Sequence, residues 1–100
     1  MIIKEKTKLE TEDEFVKVVV DIERSVLSAH CLMHADCAEE LVADGSEWKN
    51  LWGANVFPSD GHIQFSSLIN IRPKAGNKSM EITIPSVQTQ IFEIIKKLTC

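Results

Sequence analysis

The stretch HCLMHADC, His30 to Cys37, gathers two histidines, two cysteines and an aspartate within eight residues. Those residue types ligate metals, activate thiols and move protons. Cys37, with His34 three residues before it, has the parts of a nucleophile and its base. A helix start at Asp36 would favour the thiolate there. The spacing matches no paired C-x-x-C zinc knuckle. His30 and Cys31, adjacent on an extended segment, point to opposite sides of it. The expectation is therefore no metal and no cofactor. Cys31 reads as a small buried hydrophobe, and Cys37 as a half-exposed thiol without a task.

A second polar set lies in and beside a later hairpin: Asn55, Asn70, Arg72, Asn77, Ser79 and Glu81. Arg72 offers the bidentate geometry that suits a carboxylate, so Glu81 is its first expected partner and a loop carbonyl the alternative. With the N–H groups of the Gly76-Asn77 turn it would instead make an anion site. A loop stapled by its own side chains is the favoured reading, because loop backbone groups need partners. No P-loop or dinucleotide glycine fingerprint is present. Trp48 and Trp52 read as packing residues, or as interface anchors if exposed.

Elements must position these side chains. Val16, Val18, Val20 and Ile22 share one face of an extended run, with Lys17 and Asp21 on the other and Val19 the one apolar exception. After Arg24 and Ser25 the alternation resumes, giving a hairpin over Phe15 to Met33. Asp36 and Glu39 have the spacing of a reciprocal helix cap. Ala38, Leu41 and Val42 make a short apolar stripe, and Gly45 a left-handed stop. A second hairpin follows, from Leu51 to Phe57, through the turn PSDG, to His62 to Ile71. Arg72-Pro73 ends it, and Lys74 to Ser79 is a loop. Val87, Ile91, Ile94, Ile95 and Leu98 recur at helical spacing after Pro85, which suits a first helical position. The fold class is α+β. A four-stranded antiparallel sheet in ββαββα order, with both helices on one face, leaves the other face open to water or a partner.

One hundred residues make one domain, 1–100, of which 1–14 is a short N-terminal extension where Thr11 and Glu14 would cap a helical turn. A net charge of −4 without a long basic run argues against nucleic acid. No stretch approaches the roughly 18–20 apolar residues of a membrane span. The start is not a signal peptide, so a cytoplasmic location is expected. Three cysteines, an odd number, argue for reduced thiols rather than a disulfide framework.

Three strings carry a resemblance: HAD (His34 to Asp36), LWGANVFP (Leu51 to Pro58) and LINIRPKAGNKSMEI (Leu68 to Ile82), with Gly45-Ser46 between the first two. Over roughly Val16 to Leu98 the chain resembles a family of small proteins classified only as a domain of unknown function. The resemblance implies no assigned activity. It implies a shared role, structural or functional, for His34, Asp36, Asn55, Asn70, Arg72, Asn77 and Glu81. It leaves Cys31 and Cys37 outside the pattern. It also implies that the segment before the first hairpin is shorter here than in the family, exposing sheet surface.

The leading expectation is a small, soluble, non-catalytic binding or assembly module that associates with itself through its sheet. The alternative is a small enzyme, a hydrolase, with a polar site around His34, Asp36, Asn70 and Arg72. Those four residues would have to converge on one concave site.

Overall fold

The chain runs β1 (Ile2–Ile3), β2 (Val16–Asp21), β3 (Val26–Ala29), α1 (His34–Ala43), β4 (Leu51–Val56), β5 (Ile63–Gln64) and α2 (Pro85–Leu98). Single 3-10 turns lie at Trp48–Asn50, Leu68–Asn70 and Pro73–Ala75. The computed structural model describes residues 1–100. All five strands pair antiparallel in the order β1-β3-β2-β4-β5. The sheet thus has five strands rather than four, and the element order is βββαββα rather than ββαββα. The added strand comes from the N-terminal extension, where Ile2 and Ile3 pair with Ser28 and Leu27. Two isoleucines before a run of charges read as a tail, yet they suffice for an edge strand. No helical turn forms at Thr11, whose hydroxyl instead accepts the Asp13 N–H.

The helices lie on opposite faces of the sheet, not on one. Val16, Val18 and Val20 join Leu27, Ala29, Trp52, Ala54 and Val56 beneath the α2 stripe of Val87, Ile91, Ile94, Ile95 and Leu98. Val19, one residue out of phase, packs with Val26 and Leu51 against Cys37, Ala38 and Leu41 of α1. A residue that breaks a period of two is the only apolar residue β2 sends to its second face. Two polar residues on that face, Asp21 and Ser28, are buried too, while Lys17 is half-buried. Asp21 caps its own turn, its Oδ1 accepting the N–H groups of Glu23 and Arg24. The buried Ser28 hydroxyl donates to Glu40 of α1 at 2.7 Å. Each face of the sheet carries a helix, so neither is open along its whole length.

The start of α1 also differs from expectation. Its N-cap is Met33, with no side-chain cap bond, so Asp36 and Glu39 do not cap it and Asp36 stands exposed in the first turn. The stop is as read: Gly45 has φ +112°. The Gly45 N–H bonds the Val42 carbonyl and the Ser46 N–H bonds that of Leu41, the paired closure that satisfies a helix's last acceptors. Arg24 then binds Asp44 and Ser46 at this negative helix end. α2 spans Pro85–Leu98 with its proline in the first turn, as the spacing indicates. It has 14 residues, and no helix is long and apolar enough to cross a membrane.

Two expectations about thiols fail together. Cys31 and Cys37 form a disulfide, with Cα atoms 5.7 Å apart, and only Cys100 is a free cysteine. An odd cysteine count requires one unpaired thiol and does not forbid a pair. The turn from β3 into α1 brings the two together. Cys37 is fully buried rather than half exposed, and Cys31 is half-buried against the α1 cluster rather than fully buried.

Candidate functional site

The second hairpin positions the site by failing to form in full. After Gln64 the returning strand leaves the sheet, so only Asn55 and Val56 of β4 have strand partners on that side. The remaining β4 edge is completed by side chains. The Asn70 carboxamide accepts the Gly53 N–H at 2.8 Å and donates to the Gly53 carbonyl at 2.9 Å, standing in for a peptide group of the missing strand. Its other N–H reaches the Met80 carbonyl. Arg72 donates to the carbonyls of Leu51, Lys49 and Ile69, and its guanidinium lies 4.5 Å from the centre of the Trp52 ring. Glu81 is exposed and forms no ion pair with Arg72, so the loop-carbonyl alternative is what is found. Asn77, fully buried, donates to the carbonyls of Asn70, Ser79 and Glu81 and accepts from the N–H and hydroxyl of Thr83. Buried backbone groups need partners, and three side chains from 70–77 supply them where a strand would have.

This arrangement presses Ser67 against β4. A Cβ on Gly53 would sit 2.5 Å from Ser67 Cβ and 3.2 Å from the His34 ring, so the position admits only glycine. Above this contact opens a cleft of about 320 Å³, between the start of α1, β2, β4 and residues 66–69. His34 and Asn55 line it, with Lys17 and Ser67. Asp36, Asn70, Arg72, Asn77 and Glu81 do not. The expected convergence of His34 with Asp36, Asn70 and Arg72 therefore does not occur.

His34 Nε2 lies 2.9 Å from the Ala54 carbonyl. A carbonyl only accepts, so Nε2 carries the proton and Nδ1 is the free acceptor of the neutral ring. Burial holds the His34 pKa below the usual 6.5, and nearby Lys17 acts in the same direction. The Ala54 carbonyl and Asn55 oppose the shift by favouring the charged ring. Asn55 gives one N–H to Gln64 at 3.0 Å, and its buried Oδ1 has no partner. No three His, Cys, Asp or Glu side chains come together in a way that would hold a metal ion.

The rim is apolar and exposed. Leu68 is 66% exposed, Met33 59% and Met80 45%, and all three line the cleft. Leu32, 88% exposed, stands beside it, its carbonyl bonded to the Lys17 ammonium at the cleft wall. The sequence reading missed this rim, placing Met33 at the end of the first hairpin and Leu68 in the second. The signal was present in the adjacent apolar pairs Leu32-Met33 and Leu68-Ile69, which no period of two can bury on one face. Trp52 is buried, and Trp48 is exposed away from the cleft.

No curated protein and no solved structure matches the chain. One family does, described as a protein of unknown function (DUF5674), and its match takes in β1 as well as the sheet and both helices. With residues 2–98 matched, this chain belongs to the DUF5674 family.

Proposed function

We propose that this domain is a non-catalytic binding module that associates with a second copy of itself through the cleft rim. The observation that carries the reading is the ring of exposed Met33, Leu68 and Met80 around a concave floor, with Leu32 projecting beside it. Large exposed apolar side chains gathered on one patch mark an interaction surface. A knob and a hollow on the same face are self-complementary under two-fold symmetry, where each copy offers the same patch. Leu32 of each copy then enters the hollow of the other. A stable pair hides about 800 Å² on each partner. Against a total surface of 5809 Å² this is a modest share.

The hydrolase reading draws on the neutral His34 and the free Oδ1 of Asn55 alone. Ser66 and Ser67 line the cleft, but neither hydroxyl is hydrogen-bonded to His34, the Ser67 hydroxyl accepts the Ile69 N–H, and no carboxylate lines the cleft, so the binding reading has the stronger support.

Sedimentation of the reduced and the oxidised protein at micromolar concentration tests the proposal. The wild type is expected at twice the single-chain mass of 11.2 kDa. Leu32→Asp and Leu68→Asp are each expected to sediment as one chain with the wild-type circular dichroism spectrum. A wild type that stays at one chain as concentration rises overturns the reading, and so does a dimer that both variants retain.

A further inference from the structure

One covalent bond spans a segment that other contacts also hold in place. The Cys31–Cys37 disulfide closes a loop with a sequence separation of only 6. Short loops constrain the unfolded chain least. The segment it spans is already tied down by the Lys17 bond to Leu32 and the His34 bond to Ala54.

Its two sulfurs stand in unlike surroundings. Cys37 is fully buried among Val19, Val26, Ala38, Leu41 and Leu51. Cys31 is half-buried and lines an open depression of about 530 Å³, with Phe15, Lys17, His30 and Leu32 around it. A thiolate arriving from solvent reaches Cys31 and not Cys37. Exchange at a disulfide expels the sulfur that is not attacked. Cys31 precedes the Met33 N-cap by two residues, so its bond draws the Cys37 sulfur toward the N-terminal end of α1. There the unpaired N–H groups and the positive end of the helix dipole favour a thiolate, against the cost of burial. The Lys17 ammonium at the same wall adds positive charge for the incoming thiolate.

We propose that Cys31–Cys37 is a thiol–disulfide exchange site for a dithiol reductant, with Cys31 as the sulfur attacked and Cys37 as the leaving group. One thiolate of the dithiol bonds to Cys31 Sγ as the Cys31–Cys37 bond breaks. Cys37 departs with the electron pair and takes a proton from water. The second thiol of the reductant loses its proton and displaces Cys31, closing the reductant's own disulfide. Two electrons pass to the protein, which ends with two thiols, and the dithiol ends oxidised.

The test uses the full chain with Cys100→Ser, which removes the free thiol. Dithiothreitol is added to the folded protein without denaturant, thiols are trapped by alkylation, and the products are weighed by mass spectrometry. Full conversion to two alkylated cysteines, with circular dichroism unchanged beforehand, is expected. A disulfide that opens only in urea, or a chain that carries two free thiols before any reductant and after mild oxidation, overturns the proposal. Single-cysteine chains then assign the roles. With Cys37→Ser and Cys100→Ser, oxidised glutathione is expected to form a mixed disulfide on Cys31. With Cys31→Ser and Cys100→Ser, Cys37 should react at least about tenfold more slowly while folded and at the same rate in urea. Equal rates in the folded chains overturn the assignment of Cys31 as the attacked sulfur. If serine at 37 prevents folding, Cys37→Ala keeps the buried site apolar and serves in its place.

Discussion

The two faces of the sheet are built on different terms. Beneath α2 lies a cluster of 16 buried apolar residues drawn from four strands, the helix and the segments around Leu9 and Ile82. Beneath α1 lies a cluster of six, extended by buried polar residues, a disulfide and a cleft. The first face is closed chiefly by hydrophobic contact. The second is closed in part by hydrogen bonds of particular geometry, from Ser28, Asn70 and His34. Stability is thus concentrated on the α2 side. The features that can exchange, bind or titrate are gathered on the α1 side, where local opening costs less.

Matched deletions are the strongest test of that contrast. Ile91 and Leu41 are both fully buried, one on each face. Removing a large aliphatic side chain from a core costs about 2–5 kcal/mol, and the spread reflects how far the site can collapse. Ile91→Ala is expected near the top of that range and Leu41→Ala near the bottom, since the smaller cluster relaxes more easily. Urea unfolding of the two variants measures both. Equal losses would mean that the α1 face is as tightly built as the other, and the contrast would fail.

The β4 edge gives the next effect in size. Asn70→Ala leaves the buried N–H and C=O of Gly53 without partners, and each such group costs about 1–3 kcal/mol. Arg72→Ala removes donors from carbonyls nearer the surface, which water can reach, so its loss is expected to be about 1 kcal/mol, the worth of an ordinary hydrogen bond. Thermal melts should therefore rank Asn70→Ala well below Arg72→Ala, with both below wild type. If Arg72→Ala is the more damaging, the guanidinium over Trp52 carries the edge rather than the carboxamide.

What the sequence disclosed follows the same division. The α2 face rests on two repeating patterns, alternation in Val16 to Val20 and helical spacing from Val87 to Leu98, and both are visible in a linear string. The α1 face rests on the single out-of-phase Val19 and on buried polar residues that alternation assigns to water. That is why both helices were expected on one side. The polar set in 70–81 was recognisable as a group, but its work was not. A side chain that replaces a strand's peptide group leaves the same residue types in the sequence as an anion site or a catalytic cluster. The disulfide depended on how the chain turns between β3 and α1, which spacing does not specify.

The smallest expected effect is the titration of His34, and it bears on whether the α1 face is poised near neutrality. Burial lowers the His34 pKa from the usual 6.5, with Lys17 beside it, so at a given pH just below 6.5 the unfolded chain binds more proton than the folded one. The contribution of the neutral ring to stability is therefore complete above pH 6.5 and shrinks as the pH falls from there through the lower folded value. Glu40, Asp44 and Asp60 are held below their usual values by the N-terminal ammonium and Ser28, by Arg24 and Lys4, and by His62, respectively. Their contributions are present above the ordinary carboxylate range, near pH 4, and are lost only below it. The interval between about pH 6.5 and 5 lies above these carboxylates, and comparison with a His34 variant separates this histidine from the other two in the chain. Melting temperature should fall across it in the wild type and stay nearly flat in His34→Gln, in which an amide N–H can still donate to the Ala54 carbonyl. A parallel slope in the two proteins would show that the imidazole is as well solvated folded as unfolded. The floor of the cleft would then be wet, and the case for an apolar partner seated there would weaken with it.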